Sequence, residues 1–220
     1  MRGLGHRLRK KRARIALGAV VAAVLCGFFV HSLQRSLLTY SPSKLILDRR
    51  GRYLGEVPGA GGELGYWPVP YVLPEKVVAA TIITEDQHFH DHPGVYLPSI
   101  ARAIAQNARN HRVISGASTI AMQVARMQSP GGRNFLRKLT EAAEALALVN
   151  DHGHEQVLRQ YLTIAPYGNR AHGIVRAARL YFDKPVEDLS WAQSAFLAGL
   201  PQMPGRMNPW DTDGYQRALK

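Results

Sequence analysis

The stretches EDQHFHDHPG, residues 85–94, and SGASTIAMQ, residues 115–123, place two polar clusters beside apolar, helix-forming sequence. The first cluster follows residues 74–84, where one apolar helical face is formed by Val77, Val78, Thr81 and Ile82. Glu85 is therefore predicted at a helix C-terminus, where the helix dipole and partial burial both raise a carboxyl pKa. Such a carboxylate is suited to act as a general base. From position alone, the alternative is an ordinary solvated glutamate.

The second cluster is predicted to open another helix. Backbone N–H groups and hydroxyls at a helix N-terminus can bind an anion. Here the predicted groups belong to Gly116, Ala117, Ser118 and Thr119. Gln123 and Arg126 lie on the next turn. The simpler interpretation is a plain helix N-cap.

A third cluster consists of Arg133, Arg137, Lys138 and Glu141. Arg137 and Glu141 are four residues apart and share a helix face. One interpretation is a surface ion pair, which stabilises a helix by about 0.3–0.5 kcal/mol. The other is a set of cations for a pyrophosphate, with a carboxylate that holds a divalent metal against it.

Three histidines, His88, His90 and His92, invite a comparison with metal sites. Their spacing differs from that of the usual zinc motifs, and a Pro-Gly pair follows at once. We expect His92 to make structural hydrogen bonds that hold the turn, and the other two to be mostly exposed.

The charge of the chain is concentrated at its start. The net charge is +12, and residues 1–30 contain seven Arg or Lys and no acidic residue. This distribution disfavours a nucleic-acid-binding function. The apolar residues 15–34 are long enough for one transmembrane helix, and the basic residues 1–14 predict a cytoplasmic N-terminus. A cleaved signal peptide is the alternative.

The remaining segments are predicted to be mainly helical. Residues 35–73 are expected to form a linker with a β-hairpin over residues 45–57, and residues 74–220 a helical domain. After the helix that ends at Glu85, helices are predicted near Pro98, after Ser118, over 134–149 with an end at Gly153, over 155–162, over 171–182, and from the capping box Ser190-x-x-Gln193 to Pro201.

Taken together, the motifs resemble glycosyltransferase family 51, the domain of monofunctional peptidoglycan polymerases and class A penicillin-binding proteins. The resemblance covers roughly residues 45–210. It is carried, in the family's order, by Glu85-Asp86-x-x-Phe89-x-x-His92-x-Gly94, Gly116-x-Ser118-Thr119-Ile120-x-x-Gln123, Arg137-Lys138-x-x-Glu141, Val157-Leu158-x-x-Tyr161-Leu162 and Ala195-x-Leu197-Ala198-Gly199-Leu200-Pro201-Gln202-x-Pro204. The sequence Ala165-Pro166-Tyr167-Gly168 is most similar to the penicillin-binding protein 1C branch.

The resemblance implies a lysozyme-like, two-lobed helical fold and an enzyme that polymerises lipid II, a disaccharide-pentapeptide on undecaprenyl pyrophosphate. It implies that Glu85 is the general base of an inverting transfer, and that Glu141 assists the leaving pyrophosphate with Mg²⁺ or Mn²⁺. The implied substrate-binding residues are Asp86, His92, Ser118, Thr119, Gln123, Arg126, Arg133, Arg137 and Lys138. The implied partners are the growing glycan strand, the bacterial inner membrane and other cell-wall synthesis proteins.

Several positions depart from the family pattern. Arg126 and His154 replace usual lysines, Tyr96 replaces a usual aspartate, and Thr163 replaces a usual asparagine, while Thr140 replaces a common basic or polar residue. The two carboxylates with implied catalytic roles, Glu85 and Glu141, are both present. Two alternatives stay open, a lysozyme or lytic-transglycosylase type of glycan-cleaving enzyme and a non-catalytic membrane scaffold that binds lipid II. Whether the chain is monofunctional or part of a bifunctional enzyme also stays open.

Overall fold

The computed structural model describes residues 36–102, 118–129, 131–132 and 134–202. The predicted basic arm 1–14 and transmembrane helix 15–34 lie outside the described residues, and so does Arg133. Within the described ranges, no helix combines the length and the apolar character needed to span a bilayer.

The predicted hairpin is confirmed as two antiparallel strands, β1 (Lys44–Leu47) and β2 (Tyr53–Val57). The Asp48 carboxylate closes the turn by accepting the backbone N–H groups of Arg50 at 2.8 Å and Arg52 at 2.9 Å. Aspartate favours turns because its short side chain can bond the backbone in this way.

Helices make up most of the described part of the chain, as the sequence predicts. They are α1 (Glu75–Glu85), α2 (Ile120–Gln128), α3 (Phe135–Ile164), α4 (Ile174–Phe182) and α5 (Trp191–Gly199). Residues 97–102 are also helical, and short 3₁₀ turns cover Val186–Asp188 and Leu200–Gln202. The predicted capping box that opens α5 is present. The two-lobed shape stays a prediction.

One predicted helix boundary is confirmed and another is wrong. Gly153 ends a helical run, as predicted: its φ of 76° is not helical and breaks α3, after which a second helical run continues to Ile164. The helix predicted from Ala171 begins at Ile174, because His172 forms bridges with Gly65 and Pro166. Such long-range pairing overrides local helical preference.

Helix α2 forms the centre of the core. Every residue from Ile120 to Ala125 is buried, and the helix packs mainly against α3. Apolar side chains from α1, α3, α4 and α5 complete the same core. Gln123, a polar residue on this buried helix, therefore requires a hydrogen-bond partner inside the protein.

A buried ion pair attaches the hairpin to α4. The Nε of Arg176 lies 2.7 Å from Oε2 of Glu56, with side-chain exposures of 6% and 2%. The other oxygen of Glu56 accepts hydrogen bonds from the Ser43 hydroxyl and the Gly65 N–H. Gly65 has a φ of +107°, and a Cβ there would lie 2.1 Å from the backbone oxygen of His172.

Breaking this ion pair is expected to destabilise the protein. Arg176→Leu leaves the Glu56 charge buried and unpaired, which should lower the free energy of unfolding by about 3–5 kcal/mol. The measurement is urea unfolding of the detergent-solubilised chain, followed by tryptophan fluorescence. The control is Arg179→Leu, on the same helix but outside the pair. An equal loss in the free energy of unfolding in both variants would contradict the stabilising role of the ion pair.

Candidate active site

Glu85 is the last residue of α1, as predicted, and its side chain is largely buried. Burial raises the pKa of its carboxyl, and the neighbouring Asp86 adds to the rise. The hydrogen bond from Gln123 and the charge of Arg126 act in the opposite direction. The net effect is a raised pKa, as the sequence predicts.

The two oxygens of the Glu85 carboxylate differ. Oε2 accepts a hydrogen bond of 2.7 Å from Nε2 of Gln123. Oε1 is buried and has no hydrogen-bond partner among the described residues. An unpaired buried acceptor is costly, so its retention points to a function. Glu85 also lines a cavity, so its carboxylate is placed to accept a proton from a molecule bound there.

Asp86 fixes the position of Glu85 through a buried network. One carboxylate oxygen accepts the backbone N–H of Ile120, the first residue of α2, at 3.0 Å. Both oxygens lie within 3.2 Å of Nε2 of His92. Nδ1 of His92 accepts the N–H of Gly94, so the proton of the neutral ring is on Nε2 and is donated to Asp86.

This network bears on the anion site predicted at the N-terminus of α2. The anion at the N-terminus of α2 is the protein's own Asp86 carboxylate. Thr119 is the N-cap, whose hydroxyl accepts from Met122 N–H and donates to the Gly94 backbone oxygen. The described contacts of Asp86, His92 and Thr119 are thus to the protein itself, and substrate binding by them stays a prediction.

A second charged group surrounds Glu141. Its carboxylate is buried, and its oxygens lie 3.7 Å from Nε of Arg137 and 3.6 Å from Nζ of Lys138. This burial excludes the ordinary surface ion pair. Lys138 also donates a hydrogen bond to the Ser118 hydroxyl. Burial lowers the pKa of Lys138, while Glu141 opposes that shift.

Ser118 and Arg126 connect the two groups. A cavity of about 260 Å³ beside Glu85 is lined by Ser118. Ser118 bonds Lys138, and the charge of Arg126 acts on both Glu85 and Lys138. The structure therefore brings together the residues Glu85, Gln123, Arg126, Ser118, Lys138, Arg137 and Glu141, whereas the placement of Arg133 is outside the described part.

Comparison with known proteins identifies the family. The family model described as Transglycosylase matches residues 64–220. The chain belongs to the transglycosylase family. It is 37% identical over 157 residues to penicillin-binding protein 1A of Pseudomonas aeruginosa and 36% identical over 172 residues to penicillin-binding protein 1C of Escherichia coli.

These matches cover 70% and 77% of this transglycosylase chain, but 19% and 22% of the two relatives. The chain thus spans about a fifth of the length of either protein. Among solved structures, penicillin-binding protein 1A from Haemophilus influenzae aligns at 19% identity and a TM-score of 0.38, over 84% of this chain and 21% of that one.

Tyr161 is a site residue to which the sequence assigned no role, although it stands in the fourth motif. Its ring is fully buried in the second half of α3. Burial raises its pKa well above the ordinary value, and the charge of Glu85 adds to the rise. The hydroxyl therefore lies beside the Glu85 carboxylate. The motif marks Tyr161, but no local pattern relates it to a residue so distant in sequence.

Replacing Glu85 is expected to stabilise the protein at neutral pH. Because the folded-state pKa is raised, the favourable contribution of Glu85 is complete at acidic pH and is lost as pH rises through that pKa. Glu85→Gln should therefore gain stability over wild type, by about 1 kcal/mol, only as pH approaches neutrality. Urea unfolding between pH 4 and about 7.5 measures this. The exposed control Glu187→Gln should show no such trend, and a pH-independent difference for Glu85→Gln would refute the argument.

Proposed function

We propose that the chain is a peptidoglycan glycosyltransferase that polymerises lipid II into glycan strands with inversion. The observation that carries the proposal is the half-buried Glu85 carboxylate, of raised pKa, lining a cavity that leads through Ser118 to the cations around Glu141. A proton acceptor on one side and cations on the other fit a transfer between a hydroxyl and a phosphate-activated sugar.

Glu85 is the general base in this proposal. Its carboxylate takes the proton of the acceptor sugar's 4-hydroxyl while that oxygen attacks the anomeric carbon of the growing donor chain. The Gln123 bond to Oε2 holds the carboxylate in one orientation. The raised pKa makes the carboxylate a stronger proton acceptor than an exposed glutamate.

The leaving group is undecaprenyl pyrophosphate. As the anomeric carbon passes to the acceptor, negative charge develops on the pyrophosphate oxygen that leaves it. Positioned cations stabilise that charge. Lys138 suits this function because its ammonium is half-exposed and held beside Ser118. The guanidinium of Arg137, fixed near both Glu141 and Glu144, adds a planar fork of donors that matches phosphate oxygens.

A divalent metal, Mg²⁺ or Mn²⁺, is part of the proposal at Glu141. The described residues contain no group of three potential metal ligands. The residues nevertheless fit a metal held chiefly by substrate phosphates and water, since Mg²⁺ is often bound by one or two protein carboxylates. When bound there, the metal would neutralise charge on the leaving pyrophosphate. Glu141 would hold it, while Arg137 and Lys138 bind the phosphate oxygens.

We place this reaction at the outer face of the bacterial inner membrane, with the predicted helix 15–34 as a single-pass anchor. A lipid-linked substrate stays in the bilayer, so an anchored enzyme works where the substrate is concentrated. Lipid II and the growing glycan strand are the proposed ligands. Other cell-wall synthesis proteins are proposed partners.

The test of this function is polymerisation of labelled lipid II by the full chain in detergent, followed by muramidase digestion. Wild type should yield long, muramidase-sensitive glycan. Glu85→Gln should lower the rate by about 10²–10⁴-fold, the usual contribution of a general base. The matched control is Glu75→Gln, at the other end of α1, which should polymerise normally. Undiminished synthesis by Glu85→Gln would exclude this residue as the base, and cleavage of preformed glycan instead of synthesis would favour a lytic enzyme.

Metal dependence is expected to require Glu141. In the same assay, wild type should respond to added Mn²⁺, whereas Glu141→Gln should be slower and respond less, because an amide binds a hard cation more weakly than a carboxylate does. A metal titration of the initial rate for both proteins measures this. Glu155→Gln, at an exposed position further along α3, is the comparison and should respond to Mn²⁺ as wild type does. A Glu141→Gln titration that matches wild type would remove Glu141 from metal binding.

A further inference from the structure

His154 follows directly after the break in α3. Its Nε2 lies 2.9 Å from the backbone carbonyl oxygen of His92. A carbonyl can only accept, so Nε2 of His154 carries a proton and donates it. The ring also packs edge-on against Phe89, at 5.2 Å between centroids and 89° between planes. The positive φ of Gly153 is what directs the chain into this orientation.

Helix α3 contacts the loop of residues 86–95 at two places. One is the His154 bond to His92. The other is Gly94, where a Cβ would lie 2.5 Å from the backbone oxygen of Ala145, so the loop backbone touches the helix backbone. Two contacts about two turns apart on one helix fix the loop's orientation as well as its distance.

The loop's orientation determines the position of the base. The His92 carbonyl is held by His154, and the His92 ring donates to Asp86. Asp86 in turn accepts the N–H of Ile120 at the start of α2, and Asp86 is adjacent to Glu85. Hydrogen bonds therefore connect the break in α3 to Asp86, and the backbone connects Asp86 to Glu85, whose carboxylate bonds Gln123.

We propose that His154 is a positioning residue that holds Glu85 in its reactive orientation through His92 and Asp86. The inference deepens the proposed function and rests on it for its kinetic consequence. His154 contacts none of the residues proposed to react. The usual lysine at this position would also offer an N–H donor, so the chain keeps a donor here while changing its chemical type.

Three substitutions separate the hydrogen bond from the packing. His154→Phe keeps an aromatic ring against Phe89 and removes the donor. His154→Lys restores a donor without the ring. The control is His90→Phe, in the same loop, because His90 makes ring contacts but no described hydrogen bond. All three are made in the full, detergent-solubilised chain.

The first readout is lipid II polymerisation. His154→Phe should lower kcat by about three- to tenfold with KM within about twofold, the effect expected from losing one hydrogen bond that orients a base. His154→Lys should recover most of the rate, and His90→Phe should match wild type. Unchanged kcat in His154→Phe, or failure of His154→Lys to recover while His154→Phe stays active, would overturn the inference.

The second readout does not depend on activity. Amide hydrogen exchange over residues 86–95 should accelerate in His154→Phe and not in His90→Phe, because the loop loses one of its two contacts with α3. Unchanged exchange in His154→Phe would overturn the inference even if polymerisation slows. If wild type does not polymerise lipid II while the loop still loosens, the proposed function fails and the positioning of the loop by His154 stands.

Discussion

The carboxylate of Asp86 is the contact on which the rest of the site depends. It joins the end of α1 to the start of α2 by accepting the Ile120 N–H, and it joins both to the intervening loop through His92. Burying a charge is costly unless it is paired or hydrogen-bonded. Here a helix N-terminus and a ring N–H meet that requirement, and the helix dipole of α2 favours a negative charge at this end.

The adjacent carboxylate has the opposite surroundings, and the contrast accounts for its proposed role. Asp86 has donors on both oxygens, whereas Glu85 has a donor on one oxygen only. Glu85 also lies at a helix C-terminus, in a largely buried position that raises its pKa. Asp86 therefore connects the surrounding elements of the fold. Glu85 remains able to accept a proton, at some cost in stability.

Local patterns in the sequence predicted much of the fold. The apolar periodicity of residues 77–82 located α1, and the Ser190-x-x-Gln193 box located the start of α5. The Asp48 turn located the hairpin. Each of these signals acts over a few residues, so it can be read without knowing the tertiary structure.

The errors and omissions share a different cause, which is contact between distant residues. The start of α4 was misplaced because Gly65 pairs with His172. The Glu56–Arg176 ion pair joins positions 120 residues apart. The N-terminus of α2 was predicted as an anion site, yet nothing local showed that Asp86 supplies the anion. Among the site residues, Glu85 and Glu141 were found through motifs. Tyr161 also stands in a motif, but its position beside Glu85 could be found only from the folded core.

A crystal structure of the full chain with a short-chain lipid-linked disaccharide pyrophosphate tests the central claim most directly. The claim is that the Glu85 carboxylate accepts the proton of an acceptor hydroxyl while the cations beside Glu141 bind the phosphates. The account predicts a sugar hydroxyl within hydrogen-bonding distance of the Glu85 carboxylate and phosphate oxygens on Lys138. A ligand with no hydroxyl near Glu85, or with its phosphates away from Lys138 and Arg137, would contradict the account.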